Sequence, residues 1–253
     1  MRDVLRPLAA LALAVLISAP AAAQTEGSPV SSTVSVQAVE PTADGRARVA
    51  ECSGAFIAPD LVLTSGHCLD GAAGPARVAV FAYRDGKPVP KPLLARAIAR
   101  FPGHVPGWKD KDGDPETRQR EIAADMALIR LAEPVAAVRP LVLGRSIGGA
   151  ISGAGATAPG GRSGVMKSAT LSSVRASTGS GAHVVFATAS KTVCGGDSGG
   201  PAVAVAADGS PALWGVVSAV LKPKGGCGTR IAITPVDPDH EGFRAMRAAV
   251  GRP

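Results

Sequence analysis

Glycine and proline set the scale of the elements this chain can form. There are 31 glycines and 21 prolines in 253 residues. Glycine leaves a helix backbone too free, and proline lacks the N–H and clashes with the preceding turn. Long helices are therefore disfavoured, and the apolar residues gather in short runs bounded by turn residues. Ser31–Val39 alternates, with Val34, Val36 and Ala38 on one side. Val49–Leu63 reads as two strands around Ala58-Pro59-Asp60, and Arg77–Tyr83 as another, followed by a turn at Asp85-Gly86. Met126–Leu131, Ile151–Gly155, Ser168–Val174, His183–Ala187, Ala202–Ala206, Leu213–Val220 and Arg230–Ile233 continue the series, and residues 102–121 read as a polar loop. Asp237-Pro238 offers an N-cap and a first helical position for a short terminal helix reaching Val250. Many short strands with one final helix predict an all-β, closed architecture, and the apolar share of 46% is enough to fill a sizeable core.

Three strings carry chemistry. In Gly196-Asp197-Ser198-Gly199-Gly200-Pro201, small residues flank a serine, so the backbone can turn sharply and a carbonyl substrate can approach the hydroxyl. A serine becomes a useful nucleophile only when a base takes its proton and donors stabilise the oxyanion; the N–H groups of Gly196 and Ser198 are placed for the second task. Leu63-Thr64-Ser65-Gly66-His67-Cys68 puts a histidine just after an apolar run, and Asp125-Met126-Ala127-Leu128-Ile129-Arg130-Leu131 puts an acid at the head of a strand-like one. Asp114 and Glu121 lie near Asp125 but head no apolar strand.

In the order His, Asp, Ser, these strings resemble the trypsin/chymotrypsin family of serine endopeptidases, and the resemblance runs from about Cys52 to the C-terminus. It implies two six-stranded antiparallel β-barrels with the site in the cleft between them. Ser198 would be the nucleophile, His67 the general base and Asp125 its orienting partner, with Gly196 and Ser198 as the oxyanion hole. An α/β-hydrolase would present its serine before its histidine. A protease-fold binding protein with a latent or inactive site is the alternative.

The chain carries four cysteines, an even number. Residues 1–23 read as an export signal: Arg2 and Arg6, then an apolar stretch from Leu8 to Ile17, then Ala21-Ala22-Ala23. In an exported chain four cysteines imply disulfides, with three pairings open, and their spacings fit no compact zinc motif. The family resemblance implies Cys52–Cys68 and Cys194–Cys227. Residues 24–253 would form the protease domain, delivered to the periplasm or the medium with no later membrane span. The net charge of +7 becomes +6 without Arg2, Asp3 and Arg6. With no basic-aromatic stripe it reads as general surface charge rather than a specific nucleic-acid site. Polypeptides are the expected substrates, and no metal or organic cofactor is needed.

The chain also departs from the family. Many members pair the aspartate before the serine with an amine freed at an Ile-Val-Gly-Gly-like terminus. No such string lies between Gln24 and Cys52, so Asp197 needs another cation; Arg145, just before a Gly-rich segment, is the expected one. Ser65-Gly66 replaces the usual pair of alanines, a change expected to be tolerated. Thr192, six residues before Ser198, falls at the pocket base and carries no charge, with Val193 next to it. Ser218-Ala219-Val220 matches the pocket wall, with Val220 in place of a usual glycine. The expectation is a preference for small or medium uncharged P1 side chains; Lys222, Lys224 and Arg230 are the residues that would favour an acidic one. His104 falls where the family has an exposed turn, and His183 and His240 read as structural. Asp110, Asp112, Asp114 and Glu121 occupy calcium-loop positions, but Pro115 sits where such a loop needs glycine, so the stretch reads as a solvated loop.

Overall fold

In the computed structural model, residues 29–107, 115–206, 208–221 and 224–251 are described. The export segment, the acidic stretch 108–114 and Lys222 lie outside them. The first barrel closes in the order β1-β2-β3-β8-β7-β4. Its strands are β1 (Thr33–Pro41), β2 (Ala47–Ala58), β3 (Leu61–Thr64), β4 (Val78–Phe81), β7 (Leu93–Arg100) and β8 (Ala127–Leu131). A small hairpin, β5 (Tyr83–Arg84) and β6 (Lys87–Pro88), projects from it. Its turn residues Asp85 and Gly86 both have positive φ, 52° and 73°, the backbone a tight two-residue hairpin requires.

The second barrel uses β10 (Ala150–Gly153), β11 (Lys167–Ser177), β12 (Val184–Val193), β13 (Pro201–Val205), β14 (Pro211–Val220) and β15 (Gly228–Pro235). Pairing of β13 with β14 closes this six-stranded ring, and β9 (Val142–Leu143) adds to β14 in parallel. The expected pair of six-stranded antiparallel barrels is thus the observed architecture.

Alternation explains how the barrels join. On β3, Val62 fills the first barrel while Leu61 and Leu63 face outward. On β8, Ile129 and Leu131 point in and Leu128 points out. Strands buried on both faces need continuous apolar runs. The outward residues meet Leu213 and Val216 of β14, and helix α2 (Glu241–Gly251) covers them with Phe243, Met246 and Val250, spaced three and four apart. The second barrel is filled by Ile151, Val185, Trp214, Val217, Ile231 and Ile233.

Two expectations need correction, and one strand has no counterpart among them. Helix α1 (Pro115–Ala123) begins inside the stretch read as loop and runs past its end. Its Ile122 side chain is buried against Val184 and Ala232, and Thr234 Oγ1 donates to the Ile122 carbonyl at 2.6 Å; this packing on the second barrel is invisible in a polar local pattern. Strand β7 carries little sequence signal because its inward positions include alanines between arginines. The terminal helix starts at Glu241, because the Asp237 carboxylate accepts the Asp239 N–H at 3.0 Å and makes a turn first.

Candidate active site

The His67 turn begins where β3 ends. Thr64 Oγ1 donates to the Ser53 carbonyl at 2.7 Å, and Ser65 Oγ to the Val217 carbonyl at 2.9 Å, so one residue ties the turn to each barrel. The Cys52–Cys68 disulfide fastens the next residue to β2, and Cys194–Cys227 joins the end of β12 to the residue before β15.

Asp125 lies just before β8 and is 1% exposed. Its Oδ1 accepts the His67 backbone N–H at 2.8 Å. Its Oδ2 lies 2.8 Å from His67 Nδ1 and accepts the Ser218 hydroxyl at 2.5 Å. An ionised carboxylate only accepts, so Nδ1 carries the proton and Nε2 of the neutral ring is the acceptor. Burial works against the charge on both groups. For Asp125, the charge and hydrogen bonds of His67 and the Ser218 hydroxyl outweigh it and hold the carboxyl below its ordinary range. For His67, burial is likewise outweighed, by the charge and hydrogen bond of Asp125 and the charge of Asp70, and the imidazole titrates above its usual value.

Ser198 is half-buried. Its carbonyl accepts the Ser53 N–H at 2.7 Å, and the Gly199 N–H donates to Val217 at 2.7 Å. The serine backbone is therefore anchored to β2 and to β14, the strand that supplies Ser218. Gly196 and Gly199 have φ of +94° and +82°. A Cβ on Gly199 would lie 2.2 Å from Thr64 Oγ1 and 2.3 Å from the Ser53 carbonyl. Gly199→Ala is expected to cost about 3 kcal/mol or more of stability, from overpacking and the left-handed backbone together. Denaturant unfolding of the purified variant measures it.

The cation beside Asp197 is Lys167, not Arg145. Lys167 Nζ lies 2.7 Å from Asp197 Oδ2 and also donates to the carbonyls of Ala156 and Thr192. The Gly155 and Cys194 amides, each at 2.9 Å, take up Oδ1 and Oδ2. Arg145 instead pairs with Asp237 and Asp239 on the surface before α2, because the segment just before it runs along β14 as β9. Glycines let the loop close on the acid: a Cβ on Gly153 or Gly155 would come within 2.5 Å of Asp197 atoms. Burial still pushes the Asp197 carboxyl above its ordinary value, against the pull of Lys167 and the two amides. No local signal marked Lys167, a single lysine at the start of a strand, thirty residues from its partner.

The other expected site residues divide. Thr192 is exposed at the end of β12 and Val193 is buried in the second barrel. Ser218 is buried and committed to Asp125. Ala219 and Val220 are half-buried, and Val220 Cγ1 lies where a Cβ on Gly228 would be only 2.7 Å away. Lys224 and Arg230 are exposed. His104 stands on an exposed turn, yet its ring is only 4% exposed and reaches toward Asp125. The one grouping of potential metal ligands among the described residues, Cys52, His67 and Cys68, includes both sulfurs of a disulfide, which are not thiolate ligands.

A two-barrel fold with an acid-backed histidine on one barrel and a glycine-flanked serine on the other defines a class of hydrolase. The family model for trypsin matches residues 23–238, and this chain belongs to the trypsin family, which makes it a serine protease by family. No curated protein matches it. Among solved structures, it is similar to the active form of the Rv3671c protease from M. tuberculosis, at 20% identity and a TM-score of 0.54 over 99% of this chain and 96% of that one. It is also similar to the protease Anisep from Arthrobacter nicotinovorans, at 16% identity and 0.58 over 88% and 97%. A third similar structure is a scabies mite inactivated protease paralogue, S-D1, at 18% identity and 0.56 over 88% and 93%. At these identities the likeness is one of fold.

Proposed function

We propose that this protein is an exported serine endopeptidase that cleaves polypeptides through an acyl-enzyme on Ser198. The observation that carries this reading is the His67–Asp125 pair: a 2.8 Å bond to a carboxylate that is 1% exposed and accepts two further donors. It fixes the tautomer in which Nε2 takes the Ser198 proton and returns it to the leaving amine. Among the described residues, the N–H groups of Gly196 and Ser198 donate to no protein acceptor, which suits them to an oxyanion. The Lys167–Asp197 pair holds the loop that carries them. Both disulfides and the leader-like residues 1–23 favour an oxidising destination, the periplasm or the medium.

Pre-steady-state hydrolysis of a peptide ester tests the covalent step. The expected result is a burst of one equivalent of alcohol product, absent in Ser198→Ala; a protein that only binds polypeptides gives neither burst nor turnover. A peptide-library profile is expected to centre on small or medium uncharged P1 residues, since Val220 narrows the wall opposite Gly228 and Thr192 supplies no charge. A profile dominated by Arg or Lys would contradict this pocket assignment.

The pH profile follows from His67. The base works only when deprotonated, and its value is raised by Asp125 and Asp70 against burial. The acid limb of kcat/KM is therefore expected to have its midpoint above that of a free imidazole. Activity should be lost as pH falls through it.

A further inference from the structure

His104 lies behind Asp125, on the side away from the His67 ring, and forms a second histidine–carboxylate pair. Its Nε2 is 2.7 Å from Asp70 Oδ1, and Asp70 Oδ2 accepts the Gly107 N–H at 3.0 Å. Arg100 Nε, from β7, stands 3.8 Å from the same Asp70 oxygen. The other nitrogen, Nδ1, is 3.9 Å from Asp125 Oδ1, buried, and without a hydrogen-bond partner among the described residues. The ring rests on the His67 turn itself: a Cβ on Gly66 would be 2.6 Å from Nδ1. An alanine at that position, as in the related family, has no room here. Gly66 is thus the space that admits His104.

We propose that His104 is a positioning residue for the active site: clamped by Asp70 and doubly protonated, it backs Asp125 and sets how strongly His67 is held as a base. The proposal rests on the reading of Asp125 and His67 as orienting acid and general base. The charge arrangement supports it. Asp70 can only accept, so Nε2 carries a proton. A neutral ring would then aim the Nδ1 lone pair at a buried carboxylate, an unsatisfied acceptor facing a negative charge. A second proton turns that contact into attraction and places a cation between Asp70 and Asp125. Among the described residues, the charged or titratable groups around the ring are Asp70 and Arg100 on one side, Asp125 and His67 on the other. With His104 cationic, Asp70 is offset and its field at His67 is reduced.

The test reads His67 directly, by NMR titration of its Nδ1–H resonance in Ser198→Ala protein, beside kcat/KM against pH in protein with Ser198 intact. His104→Gln removes the cation and leaves Asp70 bare, so the His67 midpoint should rise by about 0.5 pH or more, and the acid limb of kcat/KM with it. Asp70→Asn removes the anion, and the midpoint should fall. Gly66→Ala should lower the melting temperature; Gly66→Ala with His104→Ala should recover it while keeping the raised midpoint, which a purely packing role does not predict. In protein unaltered at residues 66, 70 and 104, nitrogen shifts should show both His104 nitrogens protonated at the pH of turnover, a reading that needs no variant to fold. An unprotonated Nδ1, or a His67 midpoint unmoved in both His104→Gln and Asp70→Asn, overturns the proposal. Absence of hydrolysis in protein with Ser198 intact would instead fail the protease reading, and the NMR titration would still decide the role of His104.

Discussion

Lys167→Met is expected to reduce kcat/KM by two to three orders of magnitude and to destabilise the fold. The Asp197 side chain is 5% exposed and that of Lys167 17%, so the pair is mostly out of water. Removing one partner of such a pair costs about 3–5 kcal/mol, because the other charge stays buried. Asp197 can escape part of that cost by taking up a proton, toward which burial already pushes it. The protonated acid then loses the attraction that draws it against Gly153 and Gly155. Residues 195–198 lie on the same turn, and loss of an oxyanion donor alone costs about 10²–10³ in kcat. Steady-state kinetics with denaturant unfolding separates the two effects: a drop in kcat larger than the unfolded fraction explains is the expected result. Because the cation comes from within the chain, acetylating the α-amino group is expected to leave turnover unchanged. Wild-type kcat/KM in Lys167→Met would contradict this role for the ion pair.

Asp125→Asn is expected to be more damaging to rate and milder for stability. The carboxylate accepts three donors: the His67 N–H, Nδ1–H and the Ser218 hydroxyl. An amide offers one oxygen, and its NH2 must face a donor. The imidazole answers by moving its proton to Nε2, and the nitrogen meant to accept the Ser198 proton becomes a donor. A loss of about 10⁴ in kcat is the scale of this tautomer error. The acid limb set by His67 should move down as well, because Asp125 is what raises it. Measurement of kcat over the pH range checks both.

The barrels were legible because their strands announce themselves locally. Alternation marks β1 and β4, and continuous apolar runs mark β3 and β8, buried on both faces. Strand β7 was not, since alanine and arginine carry little periodic signal. Helix α1 is held by Ile122 and Thr234 across the chain rather than by its own pattern. In the site, His67, Asp125 and Ser198 each sit in a string with its own chemical logic. The groups that support them do not: Lys167 meets Asp197 across 30 residues, and His104 meets Asp70 across 34 and Asp125 across 21, and no local pattern encodes such distances. Arg145 was the wrong cation for the same reason. Proximity in sequence to the Gly-rich segment placed it near Asp197, whereas the fold carries it to Asp237 and Asp239. The tolerance expected of Gly66 has a spatial reason that no local pattern carries: the His104 ring fills its free side.

Whether Ser198 is an activated nucleophile is read by intact-mass analysis after exposure to a fluorophosphonate. A single adduct is expected, absent in Ser198→Ala and strongly slowed in Asp125→Asn, with the unreacted mass showing two disulfides and the mature N-terminus. An unlabelled folded protein, or an adduct that survives Ser198→Ala, would contradict it.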